Sequence, residues 1–258
     1  MIKNIVISLT SATERREHIK KEFGKHNVAF EFFDALTPET AKEQSKALSL
    51  NLDNARLTSG ELACMVSHVS IWQKIVTENI AYAAIFEDDI YLGEDAKSLL
   101  NSVEWIKPDW NIIKIEAFAR KALLSTTKHP ILSDKRQIVP LKGKNLGAAG
   151  YILSVSGAKL LLEYITNRKL QPVDEIIFDV FISQQIEPVY QMLPALCVQE
   201  MILKERQSEF NMPSSLESER RKRMRAEKKK GFAKVQRETD RLILQTKEAL
   251  FAKEIAFR

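Results

Sequence analysis

The sequence predicts an α/β fold with a mostly parallel central sheet. Three observations predict it. Short apolar runs alternate with longer stretches of helical periodicity along the chain, the pattern of a sheet covered by helices. The run Ile80–Phe86 breaks abruptly into the carboxylates Glu87, Asp88 and Asp89, as a buried strand does where it leaves a core. The small-residue stretch Gly147-Ala-Ala-Gly150 feeds directly into a second apolar run, Tyr151-Ile-Leu.

Taken in order, Ile5–Leu9 is a short apolar strand, and Thr10–Thr13 caps a helix that begins near Glu14 and carries Arg15, Arg16 and His18. Val28–Phe33 is a second strand that ends at Asp34. Thr37-Pro38 opens a polar helix over 39–48. From Gly60 onward the apolar residues at 62, 65, 66, 69, 72, 75 and 76 follow helical spacing, so 61–78 is an amphipathic helix. The carboxylate strand follows, then a strand at Ile112–Ile115, the Gly147 loop and its strand, and a helix over Ser156–Tyr164. Pro172-Val-Asp174 opens a further helix, and Pro188–Cys197 is extended. From Ser214 the composition shifts to Arg, Lys and Glu, which places a boundary between a domain at 1–213 and a basic, helical extension at 214–258.

Of the 258 residues, 45% are hydrophobic, enough for a sizeable core. No run approaches the ~18 apolar residues of a membrane span. The opening Met-Ile-Lys-Asn-Ile-Val-Ile enters a strand pattern at once, so no signal peptide is expected. Cys64 and Cys197 stand apart, without metal-ligand spacing, and read as packing residues in a reducing compartment. The expectation is a soluble cytosolic protein. Residues 217–258 hold 14 Lys+Arg and 7 Asp+Glu, a net of +7; of the whole chain's 39 and 34, this leaves 25 and 27 for residues 1–216, a net of −2. A nucleic-acid reading would have to rest on that basic tail, which lacks interleaved aromatics for base stacking.

Alternation along the carboxylate strand points Glu87 and Asp89 to one side and Asp88 to the other. Two carboxylates on one side repel unless a cation lies between them. A hard divalent ion, Mn²⁺ or Mg²⁺, takes such oxygens and leaves positions open for phosphate. A metal there would offset the charge that develops on a departing sugar-nucleotide diphosphate. The competing reading of the same residues is a solvated acidic turn.

These motifs together resemble glycosyltransferase family 25, the bacterial lipooligosaccharide and lipopolysaccharide glycosyltransferases. The matching residues are Val6-Ile-Ser-Leu9 with Arg15-Arg16, Gly60-Glu61 with Cys64, Ser67-His68 and Trp72, and Phe86-Glu-Asp-Asp89; then Gly147 with Gly150-Tyr151, Ala158-Lys-Leu160 and Pro172-Val-Asp174. They cover roughly residues 2–200. The resemblance implies a GT-A type, Rossmann-like domain and transfer of a sugar, often galactose, from a UDP donor with inversion. Ala148-Ala149 stands where members of the family often carry Thr or Ser, which bears on the acceptor.

On that resemblance, the backbone of Ser8 and Leu9 cradles the nucleotide base. Arg15 and Arg16 reach the diphosphate or uracil, or are solvated helix charges. Asp34 accepts from ribose hydroxyls, or caps a turn. Glu87 and Asp89 hold the metal, with Asp89 the direct ligand, and Asp88 or Glu87 touches ribose or bound water. His68 donates to the leaving diphosphate, or is a satisfied core histidine. Glu61 is a helix N-terminal carboxylate. Inversion needs one general base opposite the leaving group; Asp174 is the candidate, with Glu175 and Asp179 as rivals and an ordinary helix N-cap as the alternative.

The tail carries Arg-Arg-Lys-Arg at 220–223 and Lys-Lys-Lys at 228–230, then Leu242, Leu244, Leu250, Phe251, Ile255 and Phe257. This pattern suits a helix lying on an anionic membrane beside a lipid-linked acceptor. A helix packing its apolar end on the domain or on a second chain is the alternative. The expected activity is therefore an inverting, metal-dependent transfer of a hexose, galactose first, from a UDP-sugar to a lipid-linked oligosaccharide at the inner face of the cytoplasmic membrane. Glucosyl or N-acetylhexosaminyl transfer, and a catalytically silent carbohydrate-binding module, are the alternatives.

Overall fold

The computed structural model describes residues 1–52, 57–166, 168–207 and 251–258. Among these, the central sheet has eight strands in the order β2-β1-β3-β9-β5-β10-β8-β7. They are β1 (Lys3–Ser8), β2 (Glu31–Asp34), β3 (Tyr82–Glu87), β5 (Ile112–Lys114), β7 (His129–Ile131), β8 (Arg136–Pro140), β9 (Gly150–Ser154) and β10 (Val189–Leu193). β1 runs parallel to both β2 and β3, and β5 runs parallel to β10. β9 lies antiparallel between β3 and β5, and β8 lies antiparallel between β10 and β7. The sheet is thus mixed, with most strands pointing one way, as the alternation of strands and helices predicts.

Strand alternation sends side chains to two separate cores. Ile5, Ile7, Ile85, Tyr151 and Leu153 pack on one face. They meet α3 (Ser59–Thr77), α5 (Val155–Ile165) and the helical segment formed by α6 (Val173–Glu175), a π-helical turn (Ile176–Val180) and α7 (Phe181–Ser183). Val6, Ala84, Phe86 and Ile152 pack on the other face, against Ile19 and Phe23 of α1 (Thr13–Lys25) and Leu99 and Leu100 of α4 (Ala96–Leu100). The remaining helix of the first half, α2 (Pro38–Ala47), packs on α3.

Local signals explain most helix starts. Thr58 accepts from Glu61 N–H while the Glu61 carboxylate accepts from Thr58 N–H, so Glu61 completes a capping box. Ser154 caps α5 by accepting from Gly157 N–H at 2.9 Å. The expected Thr cap of the first helix is not used: α1 begins at Thr13 with Ala12 at the cap position and no side-chain cap bond. Strand pairing decides four short strands that carry too little sequence to be read alone: β7 and β8 at the edge of the central sheet, and β4 (Ile90–Leu92) and β6 (Lys121–Leu123) in two separate two-stranded sheets. β4 pairs with β11 (Cys197–Gln199), which leads into α8 (Glu200–Gln207).

The end of the chain departs from the expected helix. Ala252–Glu254 form β12, antiparallel to β6. Ile255 is buried in the α3-side core, and Ala195 N–H donates to Ala256 O at 2.8 Å. Apolar Ile255 packs on the body, as the alternative to a membrane-facing end has it, though from the end of a strand rather than a helix. The basic runs at 220–223 and 228–230, and the helix expected around them, lie outside the described residues. No described helix is long and apolar enough to cross a membrane.

Candidate active site

The site forms where β1 sits between β2 and β3. The chain leaves β1 toward one neighbour and returns to the other, so the C-terminal ends of these parallel strands flank a crevice. Ligands of open α/β sheets bind at such a switch point. Ser8, Asp34 and Glu87 all stand at its rim, because Ser8 pairs in register with Asp34 and Ile7 with Glu87.

β3 ends at Glu87, and Asp88-Asp89 form the tight turn into β4. The expected alternation is present. Asp88 turns to the α1 side, where Ser8 Oγ donates to its Oδ2 at 2.7 Å and Arg15 Nη1 to its Oδ1 at 2.8 Å. Glu87 and Asp89 turn to the other side, where Gln199 Nε2 of β11 donates to Glu87 Oε2 at 3.1 Å and Asp89 Oδ1 at 3.4 Å. One amide spanning both carboxylates fixes them as a converging pair. Burial, then Asp89, Glu116, Asp88 and Asp174, hold the Glu87 carboxyl well above the usual range. Asp89 is raised by burial, against the opposing pull of Arg15 and the Gln199 hydrogen bond.

Other expected residues take different places. Ser8 is buried and spends its hydroxyl on Asp88; Leu9 is exposed at the mouth. Arg15 keeps more than half of its side chain open to solvent and projects from the first turns of α1. Arg16 is a brace: it donates to Ser8 O at 2.9 Å and Leu9 O at 3.1 Å, pairs with Asp34, and lies over Phe32. Asp34 is thus engaged by Arg16 at the rim rather than capping a turn. His68 is fully buried, with Nδ1 2.8 Å from Tyr151 Oη, and that hydroxyl oxygen accepts from Trp72 Nε1 at 2.9 Å. Desolvation lowers the His68 pKa to about 4, so the ring is neutral.

Asp174 does not cap its helix. Pro172 occupies the cap position and Asp174 lies in the first turn, buried, accepting from Gly147 N–H at 3.3 Å. Its charge is felt by Cys64, His68 and Glu87, which places it on the same side of the crevice as the acidic pair. Of the rivals, Asp179 is tied to Lys144 at 2.9 Å.

Sequence reasoning missed the layer beneath the site. Lys114 and Glu116 are both fully buried and 3.0 Å apart. Lys114 Nζ also donates to Leu146 O at 3.0 Å and to Gly147 O, and sits 4.2 Å from the Phe178 ring centroid. Glu116 Oε2 accepts from Ala149 N–H at 3.1 Å, and Ala149 O accepts from Glu87 N–H at 3.1 Å. The small-residue loop is therefore clamped between the buried ion pair and the carboxylate strand. A lysine inside the apolar run Ile112-Ile-Lys-Ile115 was the available signal. Gln199 carried none.

Five carboxylates, Glu87, Asp88, Asp89, Glu116 and Asp174, thus crowd the strand ends, while Arg15 and Lys114 are the cations that pair with them among the described residues. Glu87 and Asp89 have no cationic partner among the described salt bridges, so their oxygens fit a hard divalent ion.

The sequence agrees with a known family. The profile of glycosyltransferase family 25 (LPS biosynthesis protein) matches residues 1–177. The lipooligosaccharide biosynthesis protein lex-1 of Haemophilus influenzae is 38% identical over 262 residues, covering 89% of this chain and 86% of its own. The lacto-N-neotetraose biosynthesis glycosyltransferases LgtE of Neisseria gonorrhoeae and LgtB of Neisseria meningitidis serogroup B are each 36% identical, covering 78% of this chain and 75% and 76% of their own. A match across more than half of the chain, arriving at the same strand ends that carry the acidic cluster, makes this chain a member of glycosyltransferase family 25.

Proposed function

We propose that this glycosyltransferase moves a hexose, galactose first among the candidates, from a UDP-sugar to a terminal sugar of a lipooligosaccharide or lipopolysaccharide acceptor, with inversion. The observation that carries the reading is the converging pair Glu87 and Asp89 with Asp174 on the same side of the switch-point crevice. Glu87 and Asp89 would hold Mn²⁺ or Mg²⁺. Bound there, the ion would supply electrophilic stabilisation of the leaving diphosphate.

The chain's own residues do the rest. Arg15, anchored by Asp88 but open to solvent, presents its remaining guanidinium N–H groups to the diphosphate. Arg16 holds the carbonyls of Ser8 and Leu9 in place, which shapes the end of β1 beneath the nucleotide. Asp174 takes the proton from the acceptor hydroxyl as that hydroxyl attacks the anomeric carbon, and Gly147 N–H keeps the carboxylate aimed. Inversion follows from a single displacement. The basic stretch upstream of β12 rests on the anionic inner leaflet of the cytoplasmic membrane, where each Lys or Arg contributes about 1 kcal/mol.

A donor screen tests this reading. Purified protein is incubated with a truncated oligosaccharide acceptor, Mn²⁺ and each UDP-sugar in turn, and UDP release and the anomeric configuration of the product are measured. UDP-galactose turnover giving the inverted anomer is expected. Turnover with UDP-glucose or a UDP-N-acetylhexosamine alone would replace the sugar, and retention at the anomeric carbon would remove Asp174 as base.

A further inference from the structure

A second donor set lies beside the acidic pair, and its chemistry is soft. Cys64 and His68 are one helical turn apart on α3, so both face the end of β3. Cys64 Sγ, a His68 ring nitrogen and a Glu87 carboxylate oxygen all lie within 4.8 Å of one another. Cys64, which stands alone in the sequence, is brought to ligand spacing only by the packing of α3 on β3.

The histidine adds an independent observation. Its Nδ1 is held by Tyr151 Oη, but Nε2 is fully buried and has no hydrogen-bond partner. A buried, unpaired ring nitrogen costs free energy unless something occupies it. Metal binding at Nε2 requires the tautomer in which Nδ1–H donates to the Tyr151 oxygen, which leaves the Nε2 lone pair free, as in a metal ligand whose other ring nitrogen is oriented by a neighbour.

We propose that Cys64, His68 and Glu87 form a binding site for a soft divalent cation of the Zn²⁺ class, with the fourth tetrahedral position left to a water or another ligand. Tetrahedral Zn²⁺ with bonds of about 2.0–2.3 Å sets its ligand atoms roughly 3.5 Å apart. Cys64 as a residue is half-buried. Burial and the nearby carboxylates raise the Cys64 pKa, so the free site holds a neutral thiol, and binding sends the thiol proton to solvent. Mn²⁺ and Mg²⁺, which favour oxygen, do not compete for the sulfur. Because Glu87 belongs to both sets, a soft ion here withdraws one oxygen from the pair that the preceding reading gives to Mn²⁺. The binding itself does not rest on that reading, and its test needs no turnover.

The experiment uses the full chain after dialysis against chelator, with Co²⁺ as the optical probe. One Co²⁺ per chain is expected, with a near-ultraviolet thiolate-to-cobalt charge-transfer band that Zn²⁺ bleaches. Cys64→Ser removes the band. Tyr151→Phe, which keeps the ring but loses the hydroxyl that orients His68, weakens binding about 10–100-fold. A measurement without variants runs in parallel: Zn²⁺, but not Mn²⁺, slows iodoacetamide alkylation of Cys64, followed by peptide mass spectrometry. The proposal is overturned if no charge-transfer band forms, if the band persists in folded Cys64→Ser, or if Zn²⁺ leaves Cys64 alkylation unchanged. Failure of UDP-sugar turnover would count only against the preceding reading.

Discussion

The carboxylate of Asp174 accepts a hydrogen bond from the backbone N–H of Gly147 at 3.3 Å. This contact joins the start of the helical segment that follows Pro172 to the small-residue loop at the end of β3. The loop's Ala149 in turn bonds the backbone of Glu87. Candidate base and candidate metal ligands are therefore positioned through the same four-residue loop.

Asp174→Asn is expected to lower kcat by roughly 10²–10⁴-fold, the usual worth of a general base, with little change in UDP affinity. The amide oxygen still accepts from Gly147, and Asp174 is not the cap of its helix, so the melting temperature should hold. A fully active Asp174→Asn enzyme alongside an inactive Glu175→Gln would transfer the role to Glu175.

Asp89→Asn should abolish most turnover while leaving the fold intact, and chelator should do the same to the native chain. Asp89 and Glu87 share the amide of Gln199 and no described cation. Full activity of the Asp89 variant in EDTA would end the metal assignment. Isothermal titration with Mn²⁺ checks binding apart from turnover.

Gly147→Ala is expected to destabilise by about 1–3 kcal/mol from backbone strain alone. Gly147 has φ of +92°, and a Cβ there would lie 2.8 Å from Glu116 Oε2 and from the Phe118 side chain. Urea unfolding measures the loss. An unchanged midpoint would show that the loop shifts freely, and the clamp described above would not hold.

The fully buried pair Lys114 and Glu116 should show strong coupling. Removing one partner, as in Lys114→Met, is expected to cost about 3–5 kcal/mol because a buried charge is stranded. Lys114→Met combined with Glu116→Leu should recover part of that loss, and a double-mutant cycle in urea quantifies it. Additive costs would mean that the two charges do not act together.

Ile255→Ala should cost about 2–5 kcal/mol, as for other buried aliphatic truncations. Ile255 sits in the α3-side core although it falls within the basic extension. Deleting residues 251–258 should lower the melting temperature further, since β12 and its pairing with β6 go too. A deletion as stable as the intact chain would show that this strand merely rests on the surface.

The sequence by itself determined the α/β class, two helices, placed at 61–78 and 156–164 and found at 59–77 and 155–165, the carboxylate strand and the sides to which Glu87, Asp88 and Asp89 turn. Each depends on local periodicity, which a strand or helix of six or more residues displays without outside help. The tertiary structure decided what those side chains meet. Arg16 became a brace and Ser8 a partner of Asp88 because β1, β2 and β3 align their ends. Lys114, Glu116 and Gln199 joined the site through strands separated by long stretches of chain. Ile255 was drawn from an amphipathic pattern into the core because β6 offered an edge to pair with. Strand register, burial and pairing between distant segments are properties of the packed molecule, and no local window of sequence contains them.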